Sequence, residues 1–241
     1  MKDKSLGIIG GMGPKATAVF FDKIIDRTVA DHDQEHIDMI ILNHATIPDW
    51  TNVIASGDSR PFLNAITKDF ALLEHAGVAN IAIPCNTSHY FYNEMQAMTS
   101  IPIINMVDET LSNIHAQYGS GCRVGILATN GTINTGVYAK GCENYSMQLV
   151  EPKDEMQRQV MDIIYTDVKG HNNCDPTKLE TIIDQLIHTY ECHCVILACT
   201  ELSCITLSEQ YASYSIDAME VLVERAITLS GKQYKNPEYT S

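Results

Sequence analysis

Positive charge is what this sequence has little of. Lys and Arg number 16 against 30 Asp and Glu, a formal net charge of -14. A nucleic-acid backbone or an anionic membrane attracts the opposite balance, so composition argues against both as partners. It does not argue against a small anionic substrate, because a local pocket can oppose the global charge. The chain also lacks any apolar run long enough to cross a bilayer. Its start, Met1 to Gly7, has no signal-peptide apolar region. No low-complexity tract interrupts it. With 45% hydrophobic and 19% charged residues over 241 positions, it has the composition of a globular protein that can bury a sizeable core. The eight cysteines, without a secretion signal, predict reduced thiols in a cytoplasm.

Two of those cysteines organise the rest. Cys85, in Pro84-Cys85-Asn86-Thr87, follows the apolar run Val78 to Ile83, which reads as a buried strand. Ser88 to about Met98 then reads as a helix. Cys199, in Cys199-Thr200-Glu201, follows a second such run, Val195 to Ala198. The carboxyl end of a strand is where open α/β sheets bind their ligands. A helix N-terminus there favours thiolate over thiol.

The chain alternates strands and helices throughout. Ser5 to Ile9 is a strand, Gly10-Gly11-Met12-Gly13-Pro14 a turn, and Lys15 to Ala30 a helix with Pro14 at its start. Asp38 to Leu42 is a strand, Asn43 to Ser59 a polar loop, and Pro61 to His75 a helix by apolar spacing. Ile101 to Asn105 is a short strand, and Val107 to Tyr118 a helix. Gly119-Ser120-Gly121 reads as a boundary, after which the pattern restarts. Strand Met147 to Val150, helix Asp154 to about Lys169 and helix Pro176 to Tyr190 lead to Cys199. Tyr214 to Asp217 is a last short strand, and Ala218 to Leu229 a closing helix expected to dock on the first half. Such alternation predicts parallel sheets with right-handed crossovers.

The restart is a repeat. At an offset of 118, Gly7 matches Gly125, Ile8 matches Ile126, Gly13 matches Gly131 and Thr17 matches Thr135. The two cysteines recur at an offset of 114. This predicts an α/β protein of two pseudo-symmetric parallel-sheet domains, residues 1–103 with 211–241 and residues 104–210, with the active site in the cleft between them.

Two such halves would set Cys85 and Cys199 on opposite sides of a small molecule. That geometry suits removal of a proton from one face of a carbon and delivery to the other, by thiolate as base and thiol as acid. A free thiol titrates near ~8.5, within reach of neutrality. The carbanion needs donors for the substrate α-carboxylate. Asn86, Thr87 and Thr200 adjoin the cysteines, and the turns holding Met12 and Thr129 can supply bare backbone.

Gly10 to Pro14 with Ala16-Thr17, Pro84 to Thr87 with His89, and Cys199 to Glu201 together resemble the cofactor-independent aspartate/glutamate racemase family, closest to its aspartate racemase branch. The resemblance extends through Asp33 to His36, Ile47-Pro48-Asp49 and Leu127 to Thr132. It implies that Cys85 and Cys199 are the catalytic acid and base, that neither pyridoxal phosphate nor a metal is needed, that the substrate is an amino acid, and that the enzyme is a homodimer. It implies Lys169 as a cationic substrate contact. Where the aspartate racemases carry an arginine for the substrate's side-chain carboxylate, this chain has Trp50. Loss of a bidentate partner weakens recognition of that carboxylate, so a non-acidic amino acid is the alternative substrate. Arg60, in the same region, is a possible replacement cation.

Other readings are plainer. Cys122, Cys142, Cys174 and Cys204 read as inert thiols. Cys192-His193-Cys194 hints at zinc but lacks a second spaced pair. The glycine turn lacks the spacing and the lysine of a nucleotide site. His89 reads as a residue that orients the cysteine loop. Glu201 holds a substrate ammonium or caps a helix; both stay open, as does Lys169 as a solvated helix-end charge. The non-catalytic alternative is an amino-acid-binding protein of the same fold. Two others are a thiol redox protein and an isomerase or decarboxylase of a small dicarboxylic acid.

Overall fold

The computed structural model describes residues 4–48, 53, 57–171 and 174–236. Trp50 and Asp49 lie outside them. The chain divides into two compact units. Residues up to Met106 and from Leu222 onward form the first, and Val107–Val221 the second.

The first unit is a parallel sheet of β1 (Leu6–Gly10), β2 (Met39–Asn43) and β3 (Asn80–Ala82), in the order β2-β1-β3. β1 sits in the middle, with Leu6 opposite Met39 on one side and Asn80 on the other. Every residue of β1 is buried, as expected for a central parallel strand covered on both faces. The helices are α1 (Pro14–Arg27), α2 (Arg60–Ala76) and the short α3 (Tyr92–Ala97). Pro14 opens α1 without wasting an N–H. Gly77, at φ 72°, closes α2 by giving its N–H to Leu73 and Glu74 carbonyls. Phe62, Ile66, Phe70 and Leu73 of α2 pack with Ile9, Ile81 and Ile83, and Cys85 belongs to the same core cluster.

The second unit repeats the plan. β4 (Arg123–Leu127), β5 (Gln148–Val150), β6 (Cys194–Leu197) and β7 (Ser215–Asp217) run in parallel in the order β5-β4-β6-β7. Helix α4 (Met106–Tyr118) leads to β4, followed by α5 (Asn130–Thr135) and α6 (Val137–Asn144). Helix α7 (Asp154–Asp162) passes into a π-helix at Ile163–Gly170, then come α8 (Pro176–His188) and α9 (Glu209–Tyr214). Its core joins Leu179, Ile182, Ile183 and Leu186 of α8 to Leu127, Val195 and Leu197, and Cys199 belongs to that cluster. Fully burying an aliphatic side chain of this size is worth about 1.5–3 kcal/mol. The last helix, α10 (Ala218–Leu229), returns the chain to the first unit at Leu222.

The repeat read from spacing therefore has a topological counterpart. β1 and β4 are each the middle strand of their first three, flanked by the next strand on one side and the one after on the other. The matched glycines do the same work. A Cβ on Gly7 would fall 2.8 Å from Leu73, and one on Gly125 3.1 Å from Leu186. Both let a helix from later in the chain, α2 on β1 and α8 on β4, lie close on the strand.

Three local expectations change. Gly119-Ser120-Gly121 is not a boundary but the turn between α4 and β4, inside the second unit, with Gly121 N–H bonded to Ser146. Ile101 to Asn105 reduces to one parallel bridge, Ile81 to Ile103. The segment after Cys85 is a 3-10 turn, Thr87–Phe91, before α3 begins.

Candidate active site

In the first unit, Met12 follows β1 and Cys85 follows β3, at the carboxyl ends of neighbouring strands. Met12 packs against the core cluster that includes Cys85. The glycine turn is tied down by Thr17, whose Oγ1 accepts from Gly11 N–H at 2.9 Å and donates to the Gly13 carbonyl at 2.9 Å. Gly11 needs its φ of 96°, and a Cβ there would strike the His44 backbone at 2.4 Å.

The Cys85 turn is built around one carbonyl. Ser88 Oγ donates to Cys85 O at 2.6 Å, and the His89 Nδ1 lies 2.8 Å from the same oxygen. His89 Nε2 lies 3.3 Å from the Ile104 carbonyl. The shorter contact assigns the proton of the neutral ring to Nδ1. Burial pulls the His89 pKa down, against the lift from the two carbonyls. His89 is thus a buried neutral ring that fixes the cysteine loop. Asn86 and Thr87 are buried beside it.

In the second unit the sulfur itself is engaged. Cys199 is 7% exposed, and its Sγ donates to Glu201 Oε2 at 3.0 Å. Lys169 Nζ approaches Glu201 Oε1 at 3.4 Å and lies 4.7 Å above the Tyr165 ring. Thr200 Oγ1 is 3.5 Å from Glu201 Oε2. The structure so brings together Cys199, Thr200, Glu201 and Lys169. Lys169 arrives on the π-helix, a form that concentrates at functional sites. Thr129 stands at the end of β4, next to β6, and caps α5 by accepting from Thr132 N–H at 3.2 Å. Gln157 holds the same turn through the Ala128 carbonyl at 3.0 Å and Asn130 Oδ1 at 2.8 Å.

Charge at this cysteine runs opposite to the expectation of a helix N-terminus favouring thiolate. Burial first, then the Glu201 carboxylate, push the Cys199 thiol well up. The element after it is a 3-10 turn, Leu202–Cys204, too short for a helix dipole. Glu201 does not serve as a helix cap through its side chain. Lys169 is held above its ordinary value because Glu201 and Cys199 outweigh the burial that opposes them.

Arg60 is committed elsewhere: its guanidinium makes a two-pronged pair with Asp58, at 2.7 Å on each prong, and its side chain is 82% exposed. Cys142 and Cys194 are pushed up to about 12 by burial, and Cys192 to about 11. These thiols stay protonated. Among the described residues, no group of three His, Cys, Asp or Glu side chains could hold a metal.

One polar pair escaped the sequence reading. His44, just past β2, places Nδ1 2.7 Å from Oδ2 of Asp69, a buried carboxylate on α2. The two are 25 residues apart, and Asp69 breaks an otherwise apolar helix face, the one signal that could have found it.

A family model described as Asp/Glu/Hydantoin racemase matches residues 9–226. The chain is 29% identical over 229 residues to the broad specificity amino-acid racemase RacX of Bacillus subtilis, across 92% of this chain and 96% of that one. An aspartate racemase structure from Picrophilus torridus superposes with a TM-score of 0.81 at 31% identity, covering 96% of each chain. A glutamate racemase from Francisella tularensis, in complex with D-glutamate, shares the fold at 20% identity and a TM-score of 0.62, over 95% of this chain and 81% of that one. The chain belongs to the Asp/Glu/Hydantoin racemase family.

Proposed function

We propose that the protein is an amino-acid racemase that inverts Cα with two cysteines and no cofactor. The observation that carries this reading is the equivalent placement of Cys85 after β3 and Cys199 after β6, one in each copy of the repeated unit. In the proposed reaction a Cys85 thiolate takes the Cα proton from one face. The Cys199 thiol gives its proton to the other face and becomes the thiolate. The product has the opposite hand, and the two sulfurs have exchanged states. The raised Cys199 thiol suits the starting acid. For the opposite enantiomer the roles reverse, and Glu201, at 3.0 Å, stands ready to accept the Cys199 proton.

Lys169 is assigned to a substrate carboxylate, with the Thr129 and Thr200 hydroxyls, Asn86, Thr87 and the Met12 backbone as donors to charge that develops at the α-carboxylate. Glu201 is assigned to Cys199 and Lys169 rather than to the substrate ammonium. The eight free cysteines suit a reducing cytoplasm, and we place a homodimeric enzyme there on the family resemblance.

Aspartate and glutamate are the first substrates to test. A second reading, a racemase of non-acidic amino acids, is favoured by Trp50 at the position of the expected arginine and by Arg60 being paired to Asp58. The relative named for broad specificity points the same way. The test is α-proton exchange in D₂O, followed by NMR over a panel of L- and D-amino acids with no cofactor added. Exchange of acidic substrates alone supports the first reading, and exchange of others supports the second. No exchange in folded, reduced protein rejects both in favour of an amino-acid-binding protein.

A further inference from the structure

Away from the cysteine turns, the first unit carries a small polar cavity of about 40 Å³ at the amino-terminal edge of its sheet. Cys85 lies at the carboxyl edge. Three separate segments meet there. Lys4 precedes β1, the stretch with Gln34, His36 and Asp38 precedes β2, and Ser230 and Lys232 follow α10.

Its polar groups are not used by the fold. Ser230 is 5% exposed, and its Oγ has no hydrogen-bond partner among the described residues. The buried Nδ1 of His36 has none either. Such atoms are costly to leave unmade. The end of α10 explains why the hydroxyl is left over. Ser230 N–H takes the Ala226 carbonyl, Lys232 N–H takes Ile227, Gly231 N–H takes Thr228, and the Asn80 amide takes Leu229. Each of the last four carbonyls already has a donor. Neither Lys4 nor Lys232 has an ion-pair partner among the described residues. Two ammonium groups, an imidazole and a hydroxyl therefore converge in a molecule whose net charge is -14.

We propose that this cavity binds one free inorganic phosphate ion. Lys4 and Lys232 neutralise it, and Ser230 and His36 donate to its oxygens. Asp38 selects among anions. A bare carboxylate repels a fully deprotonated oxyanion but accepts a hydrogen bond from one that keeps an O–H. Phosphate keeps a P–O–H near neutral pH, and sulfate does not. The volume suits a phosphoryl group and excludes a nucleoside, since a single water needs about 10–15 Å³ on the same measure.

The test is titration of the whole protein, in a buffer free of phosphate and sulfate, by calorimetry and phosphorus NMR. The probes are inorganic phosphate, glycerol phosphate and sulfate. The expected result is one phosphate per chain, with sulfate much weaker. Lys4→Gln and Lys232→Gln should each weaken phosphate about tenfold. Asp38→Asn should bring sulfate up to phosphate. Glycerol phosphate, fully deprotonated well above its second pKa of about 6, should bind as weakly as sulfate, and binding of it as tight as inorganic phosphate overturns the role given to Asp38. Absence of binding by the folded wild type overturns the proposal. So does binding that both lysine variants leave unchanged, or sulfate binding as tight as phosphate in the wild type.

Discussion

The two cysteine turns occupy equivalent places in two copies of one plan, and they differ in the residues that surround them. At Cys85 the contacts from Ser88 and His89 converge on the backbone carbonyl. At Cys199 the contact from Glu201 falls on the sulfur, with Lys169 behind the carboxylate. The contacts at the first turn fix where its cysteine stands. Those at the second, after burial, raise how tightly Cys199 keeps its proton. A duplicated fold has kept the position of the group while the residues around it differ. The raised Cys199 thiol suits the acid of the proposed reaction.

The strongest way to break the comparison is to remove each sulfur. Cys85→Ala and Cys199→Ala should each lower racemisation by about a thousandfold or more, the scale of a lost general acid or base. Chiral chromatography of product measures this. Full activity in either variant would sink the two-base mechanism.

His89→Ala tests the scaffold side. It empties a buried site and removes the ring that holds the Cys85 carbonyl, so it should cost about 2–4 kcal/mol of stability in denaturant melts. A pH arm sharpens this. The folded His89 pKa lies below its ordinary value of 6.5 because the ring is buried. The unfolded chain therefore binds a proton first as pH falls. Its contribution to stability is full above 6.5 and is lost progressively as pH drops from there toward the lower folded value. The variant should lack that part of the acid sensitivity. An identical acid profile in both would show that His89 is not held neutral.

Much of this was legible before the structure. Buried strand runs ending in Cys85 and Cys199, and the constant offset of Gly7 and Gly125, carry the two parallel sheets and their equivalent edges. They are legible because parallel strands must be apolar on both faces, and because a glycine under a helix leaves a mark in one residue. What was hidden is what depends on tertiary partners. The 3-10 turn after Cys85 and the π-helix carrying Lys169 follow from local packing, not from periodicity. Helix α9 was missed because Glu209–Tyr214 is six residues with no buried position. Burial of Cys199 first, and then the Glu201 carboxylate two residues on, inverted the expected charge effect, because the short turn supplies no dipole to oppose them. His44 and Asp69 meet only because β2 and α2 pack in one unit.

Glu201→Gln attacks the other side of the comparison. The amide keeps the shape and removes the carboxylate that, after burial, raises the Cys199 thiol. The Cys199 titration should move to lower pH, read from the pH dependence of its alkylation in a Cys85→Ala background. Turnover of the single Glu201→Gln variant should fall by about ten- to a hundredfold as the acid and base become mismatched. An unmoved titration would mean that burial alone sets this thiol, and the two turns would then differ less than their contacts suggest.

The smallest effect is the most discriminating. Ser88 is fully buried and gives its hydroxyl to a carbonyl that His89 also serves. Ser88→Ala leaves that carbonyl one partner, so the loss should sit near 1 kcal/mol in stability. If the Cys85 turn is a backbone scaffold, the pH dependence of Cys85 alkylation, read in a Cys199→Ala background, should not move even as the melt shifts. Glu201→Gln should show the reverse pattern, a moved thiol titration with little change in the melt. A Cys85 titration that shifts with Ser88→Ala would mean that the carbonyl network reaches the sulfur, and both turns would then tune charge by different routes.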